Sequence, residues 1–436
     1  MNFKQAMDYM EEIKACGIVP GLTNIIELCK RLDNPQERLS FVHIAGSNGK
    51  GSVLSYVSTI LKCAGYKVGR YISPVITDYC EKIQINGKQI SQKNMADCIT
   101  KVKDACDAMV SDGLSQPTPF EVETAAAFLY FADHKCDVVV LETGMGGRED
   151  ATNLIQNTLV SVLTPISMDH MQFLGKTLKE IAGHKAGIIK PNCRVVSAMQ
   201  EKEAMDVILA KAHACGISAC DVTFVNEPTK VHYGLEKQKF SYTDATGKNY
   251  KDLEISLTGK HQIENAALAV EVIAALALCG YEVPQKALYK GLLETVWQGR
   301  FEVLSKRPYF VVDGAHNIDA AEKLASSIRF YFTNKRIIYI MGILKDKEYE
   351  KVIAATYSYA DHIITVTPPE NPRALPAINL AQAVSEYHPQ VTVADSLEEA
   401  VEIAYLLAKK EDVIISFGSL SFLGRLKRIL EKRSKR

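Results

Sequence analysis

Phe41-Val42-His43-Ile44-Ala45-Gly46-Ser47-Asn48-Gly49-Lys50-Gly51-Ser52 is the stretch on which the reading of this chain turns. Phe41 to Ala45 is a short apolar run with the character of a buried strand. Val53 to Ala64 has helical spacing and stops at Gly65. A strand, a glycine turn and a helix start together make an anion site. The turn lets backbone approach a phosphate, its N–H groups and the helix N-terminus point at the charge, and Lys50 adds a fixed cation. Ser52 stands where a phosphate loop places its Mg²⁺-binding hydroxyl. The strict pattern G-x-x-x-x-G-K-[ST] is not met, because Ile44 occupies its first glycine position and Gly51 separates Lys50 from Ser52. A glycine turn with a solvent-facing lysine is the simpler alternative, but the strand–turn–helix order favours a nucleoside-triphosphate site.

At 436 residues the chain is long for one domain, and two are expected, each with its own core. Lys+Arg and Asp+Glu are both 51, a balance that argues against a nucleic-acid or membrane-surface protein. The basic end, Lys427-Arg428 and Lys432-Arg433-Ser434-Lys435-Arg436, suits a helix C-terminus complementing its dipole. The 11 cysteines are scattered with no C-x-x-C pair, which fits reduced thiols in a cytoplasmic protein better than zinc or disulfides. No apolar run suggests a signal core or a membrane span.

Beyond the phosphate loop, residues 67–72 read as a strand leading to Ser73-Pro74. Glu81 to Ile90 alternates about Asn86-Gly87, a hairpin signal. Ser91 and Thr118 are placed as helix caps. Cys136 to Glu142 is apolar without alternation, as in a parallel strand covered on both faces, and it ends on an acid. An acid there is where a phosphate-loop enzyme holds Mg²⁺. Thr158 to Leu163 is a third strand, followed by Met168-Asp169-His170. Ser73, Glu142 and His170 thus stand as hydrogen-bonding or ligating groups at the exits of three strands expected beside the phosphate-loop strand. Residues 194–256 suggest a helix and then a small antiparallel sheet closing the first domain. Asn265, near the start of an alanine-rich helix, is placed to reach a ligand. From Trp297-Gln298-Gly299-Arg300 strands alternate with helices, and the first of them ends in Asp313-Gly314-Ala315-His316-Asn317.

Taken in series, these stretches resemble the folylpolyglutamate synthase and dihydrofolate synthase family of Mur-type ATP-dependent ligases. Further matching motifs are Lys185-Ala186-Gly187-Ile188-Ile189-Lys190-Pro191, Gly259-Lys260-His261-Gln262-Ile263-Glu264-Asn265-Ala266 and Pro369-Glu370-Asn371-Pro372-Arg373-Ala374. The resemblance implies an α/β fold in two parts. Residues 1–296 would form a P-loop NTPase-like domain of the Mur ligase central type, with a parallel core sheet plus a small antiparallel sheet. Residues 297–436 would form a Rossmann-like glutamate ligase domain. It also implies an acyl-phosphate reaction: a folate or dihydropteroate carboxylate takes the γ-phosphate of ATP, and the amine of L-glutamate then displaces phosphate.

By that resemblance Gly49, Lys50, Gly51, Ser52, Asn265, Arg300 and Asp313 contact ATP, and Ser73, Glu142 and His170 are the Mg²⁺ ligands. Lys185 matches a lysine carried as a carbamate, which could support a second Mg²⁺, and a monovalent cation such as K⁺ fits the same setting. His316 lies beside the ATP site, with Lys50 and Lys185 the other catalytic candidates. Phe120, Asp150 and Ala151 are candidates for the pterin side. His184 and Glu149 depart from the family pattern, which commonly has Glu and Leu there. The implied protein is a cytoplasmic monomer. Alternatives are a dihydrofolate synthase, an enzyme with both activities, and a nucleotide-gated regulatory ATPase, which would have no use for Asp313 and His316.

Overall fold

The computed structural model describes residues 1–17, 19–75 and 77–434. Of the basic end, Lys435 and Arg436 lie outside the described residues, and the helix Leu423–Ser434 precedes them. Strands in chain order are β1 (Phe41–Ala45), β2 (Val68–Tyr71), β3 (Ile83–Ile85), β4 (Lys88–Gln89), β5 (Val138–Glu142), β6 (Thr158–Leu163), β7 (Arg194–Ser197) and β8 (Val222–Phe224). They form one sheet in the order β4-β3-β2-β5-β1-β6-β7-β8, parallel except for the β3–β4 hairpin at one edge. β9 (Thr229–His232), β10 (Gln238–Thr243) and β11 (Asn249–Ile255) make a separate antiparallel sheet.

β1 and β5 are buried along their whole length, which is why their sequences run apolar without alternation. One face of the sheet packs on the helices Gln92–Ser111 and Pro119–Asp133, the other on Lys50–Cys63 and Lys260–Ala277. Thr118 caps its helix through a reciprocal pairing with Glu121, and Ser91 accepts from the N–H of Asn94, both as the sequence predicts.

The second sheet runs β12 (Glu302–Lys306), β13 (Tyr309–Val312), β17 (Val413–Phe417), β14 (Ile337–Met341), β15 (His362–Val366), β16 (Val391–Ala394), with only the edge strand β12 antiparallel.

Two features differ from the sequence reading. Arg194–Ser197, ahead of the helix expected in residues 194–256, and Val222–Phe224, within the stretch expected to be antiparallel, extend the main sheet as parallel strands. They are four and three residues long, too short for periodicity to declare which sheet they join. Second, β5 and β6 flank β1, but β2 pairs with β5, so the strand that leads to Ser73 is one place removed from the phosphate-loop strand.

The hinge packs directly on the phosphate-loop helix. A Cβ at Gly51 would lie 2.3 Å from Cζ2 of Trp297, so the glycine that breaks the strict motif is the one the indole requires. Trp297 is the only tryptophan. Gly51→Ala should therefore displace the indole and shift the fluorescence emission to longer wavelength. An emission maximum identical to that of the unsubstituted protein would show that the ring does not rest on this turn.

Candidate active site

The turn after β1 gathers its groups around one carbonyl. Lys50 Nζ folds back and donates to the carbonyls of Gly46 at 3.1 Å and Ser47 at 3.4 Å. Lys185, from the helix Leu178–Ala186, donates to the same Gly46 carbonyl at 2.8 Å. Lys185 is 2 % exposed. Burial, and then repulsion from Lys50, lower its amine from the usual 10.5 to about 7. That change is roughly 5 kcal/mol against the ammonium form, so near neutral pH much of Lys185 is a free amine with a nucleophilic lone pair.

Gly49 takes φ 89° as the cap of the helix Lys50–Cys63. A Cβ there would meet Oδ1 of Asn265 at 2.6 Å. Asn265 donates to Gln262 Oε1 at 3.1 Å, and Gln262 donates to the buried Ser52 hydroxyl at 3.2 Å. The helix Lys260–Ala277 is thereby tied to the loop at two points.

Glu142 closes β5 at 5 % exposure, and the backbone N–H of Ser73 donates to its carboxylate. Burial raises its carboxyl to about 7, opposed by the positive charges of Lys50 and Arg300. A carboxylate whose burial is only partly offset by protein cations suits a bound metal ion. His170 is paired instead with Asp169, its Nε2 3.7 Å from the carboxylate. Burial lowers the imidazole to about 4, against the pull of Asp169, so it is neutral at pH 7 and able to ligate. Among the described residues no three His, Cys, Asp or Glu side chains converge. Ser73, Glu142 and His170 thus offer a hydroxyl, one carboxylate and a neutral imidazole. Of these, Ser73 and Glu142 line one cleft, where a hydroxyl and a carboxylate suit an Mg²⁺ that keeps water, and His170 is not among that cleft's lining residues.

The second sheet supplies the opposite wall. Asp313 is buried and accepts from the N–H groups of Phe301 at 2.7 Å and Ala315 at 2.8 Å, which pins the hinge turn and fixes Arg300. Its carboxyl is raised by burial and restrained by Arg300. His316 is held through Nδ1 to the Gly314 carbonyl at 2.8 Å. Burial, with repulsion from Lys347, lowers its imidazole to about 4. Lys347 reaches back to Asp169 at 3.8 Å, and Asn48 of the phosphate loop donates to Asp319 at 2.5 Å. Two clefts meet at Arg300. One runs from Asn48, Gly49 and Ser52 to His261, Asn265, Asp313 and Lys323. The other runs from Gly51, Ser73 and Glu142 to Arg70, Trp297 and Gln298.

The structure therefore brings together Gly49, Lys50, Gly51, Ser52, Asn265, Arg300 and Asp313, with Lys185, Glu142 and Ser73 adjoining. Phe120, Asp150 and Ala151 gather around the loop that follows Glu142 and line neither cleft. The Phe120 ring lies on Gly144 and 6.0 Å from the Tyr71 ring. Ala151 is buried, and Asp150 accepts from Met145 N–H, Thr152 N–H and the Thr152 hydroxyl, so its carboxylate shapes the loop. Sequence reasoning missed Asn48, Asp169, Lys347 and Arg70. Asn48 and Asp169 sat in motifs already singled out; Lys347 pairs with Asp169 and Arg70 lies over Trp297, partners far along the chain from them.

The second half of the site lies on a separate sheet, which is the layout of a Mur-type ligase. Residues 44–273 match the Mur ligase middle domain, and residues 299–420 match the "Mur ligase, glutamate ligase domain". A Bacillus subtilis protein named dihydrofolate synthase/folylpolyglutamate synthase is 35 % identical over 423 residues, covering 95 % of this chain and 96 % of that one. The Lacticaseibacillus casei folylpolyglutamate synthase is 31 % identical, with 99 % of each chain covered. A Mycobacterium tuberculosis folylpolyglutamate synthase, crystallised with ADP and AMPPCP, superposes with a TM-score of 0.88 at 30 % identity, over 100 % of this chain and 99 % of that one. The chain belongs to the folylpolyglutamate synthase/dihydrofolate synthase family of Mur ligases.

Proposed function

We propose that this chain joins L-glutamate to the terminal carboxylate of a folate at the expense of ATP, through an acyl phosphate. The observation that carries the reading is the pair of clefts meeting at Arg300, one built on the phosphate loop and the other on Glu142 and Ser73. A carboxylate is a poor electrophile because oxide would have to leave. A carboxylate oxygen bonds to the γ-phosphorus as the bond to ADP breaks. The amine of glutamate then bonds to the acyl carbon, phosphate leaves with the C–O electron pair, and the amine loses a proton.

In this reading Lys50 and the N–H groups from Gly49 to Ser52 neutralise the β- and γ-phosphates, and Arg300 meets the charge from the other lobe. Asn265 and Asp313 position the nucleotide, directly or by fixing Arg300, and His316 lines its second-lobe side. Ser73, Glu142 and His170 would hold Mg²⁺, which when bound offsets phosphate charge. Phe120, with the loop shaped by Asp150 and Ala151, forms a wall on which a pterin ring can lie. Closure of the two lobes, divided near residues 296 and 297, would exclude water from the acyl phosphate. A second reading, addition of the first glutamate to dihydropteroate, gains from relatives named for both activities. The eleven cysteines are all free thiols, and among the described residues no helix is long and apolar enough to cross a membrane. We read the enzyme as a cytoplasmic monomer.

The test is phosphate release from ATP and Mg²⁺ with L-glutamate and either tetrahydrofolate or dihydropteroate. Release that persists without both co-substrates would replace the ligase with a regulatory ATPase. Lys50→Ala should slow ligation about a hundredfold or more through loss of the phosphate cation. A variant with near-normal turnover would remove Lys50 from the site.

Lys185 is proposed to carry a carbamate: its neutral nitrogen adds to CO2 and releases a proton. With ¹³CO2 a carbamate resonance should be present at pH 8, where the amine is mostly free, and fade below about pH 7, the value to which burial lowers it. It should be missing from Lys185→Ala; its persistence there would assign it elsewhere.

A further inference from the structure

The cleft beyond Glu142 contains a cation that the chemistry above does not use. Arg70 lies on β2, paired with Val140 of β5, and Glu142 is the next residue along that face of β5. The Cα atoms of Arg70 and Glu142 are thus roughly 8 Å apart by sheet geometry. The Arg70 guanidinium lies over the Trp297 ring at 5.7 Å from its centroid, and its Nε–H is buried without a partner among the described residues. Desolvation lowers the group to about 10, with Glu81 pulling the other way. Glu81 accepts from Asp78 N–H at 3.2 Å and from Thr77, which draws its charge toward its own loop. Gln84, paired with Arg70 across β3, and Gln298 of the hinge add amides to the same cleft.

A guanidinium held over an indole face by cation–π attraction keeps a planar fork of N–H donors that a flat carboxylate fits. A dianionic phosphate would suit this cleft less, since Glu81 and Glu142 both lie in its wall. In a glutamyl group four carbon–carbon bonds separate the two carboxyl carbons, a span of roughly 5 Å. One carboxylate can therefore stand at the reaction centre beside Glu142 while the other reaches Arg70.

We propose that Arg70, held over Trp297, is a subsite for the α-carboxylate of a glutamyl group, either the terminal residue of the folate or the incoming amino acid. The inference rests on the ligase reading above. If the folate tail is the occupant, Arg70 also helps to choose the acceptor, because dihydropteroate has no α-carboxylate to offer.

The experiment compares the full-length protein with Arg70→Gln and Arg70→Lys in steady-state ligation. Loss of one charged hydrogen-bonding partner should raise one KM about tenfold or more. The KM for ATP should stay within about twofold. A rise for tetrahydrofolate assigns the subsite to the folate tail, and a rise for L-glutamate assigns it to the incoming amino acid. Arg70→Lys should recover part of the loss in either case.

Tetrahydropteroyl-γ-aminobutyrate, which keeps the reacting carboxyl and lacks the α-carboxylate, supplies a test in the unsubstituted enzyme. Weaker use of it than of tetrahydrofolate, with the preference gone in Arg70→Gln, supports the folate arm. Unmoved KM values for both folate and glutamate, or a fall in kcat alone, overturn the proposal. Should Arg70→Gln fail to fold, equal KM values for the analogue and tetrahydrofolate in the unsubstituted enzyme, with an unmoved glutamate KM in Arg70→Lys, overturn it as well. Absence of phosphate release from the unsubstituted protein with every substrate present would defeat the ligase reading itself. An active enzyme whose KM values ignore Arg70 would defeat only this subsite.

Discussion

Two positions without a side chain, Gly49 and Gly51, are the constraint around which the site is assembled. Asn265 fills the space a Cβ would take at the first, and Trp297 fills it at the second. Asn265 brings the helix Lys260–Ala277 onto the phosphate loop; Trp297 brings the hinge, and with it Arg300. A methyl group at either position would push away the element that completes the anion site. The inserted Gly51, which looks like a defect against the strict pattern, is what allows a ring to lie on the first helical turn. Loop backbone, helix and hinge thus share one volume, and close packing leaves no slack in it.

Charges of both signs surround this centre. Lys50, Lys185 and Lys347 approach from three elements and Arg300 from the hinge, facing the buried acids Glu142 and Asp313 and the half-buried Asp169. Burial acts against the charge of Glu142, Lys185, His170 and His316. Lys185, with Lys50 on the same carbonyl, sheds much of its charge. His170 and His316 are neutral. Burial alone would raise Asp169, but in the acid range where it titrates the protonated His170, then Lys347 and the protonated His316, hold it below its usual value. A polyanion with its metal would find both signs of charge here, cations for its oxygens and carboxylates for its metal.

The central strands, the caps and the phosphate loop were legible because each is written in local sequence: an unbroken apolar run, a cap residue with its partner three positions on, a glycine turn before a helix. Less legible was anything set by partners far along the chain. β7 and β8 are too short to declare their sheet, and β12 was not anticipated because an edge strand of intermediate burial carries little pattern. The order β2-β5-β1 follows from crossovers and not from composition. Asp150 entered as a pterin-side candidate through the family resemblance alone; that its hydrogen bonds run to its own loop depends on the folded backbone and could not be read from the sequence. Arg70 went unnoticed because one arginine in a strand says nothing until Trp297, more than 200 residues later, is laid beneath it.

Arg300 is the point where the two halves of the molecule become interdependent. Asp313 holds the backbone just after it through Phe301 N–H, and Gly314 N–H donates to the Gly299 carbonyl just before it at 2.9 Å, so the turn is fixed to the end of β13. Its guanidinium borders both clefts. A negative ligand in either cleft competes for, or reinforces, the position of the same charge, and the effect on the other ligand must be reciprocal. Closure is coupled to the same point. Asn48–Asp319 and Lys347–Asp169 join the lobes on the phosphate-loop side, while Trp297 joins them on the far side of Gly51. In the proposed reaction, a nucleotide drawing Asn48, Lys50 and Arg300 together would also fix the wall against which the acceptor carboxylate aligns. This makes the order of the two clefts along the hinge part of the chemistry, because an activated carboxyl survives only where both walls are already in place.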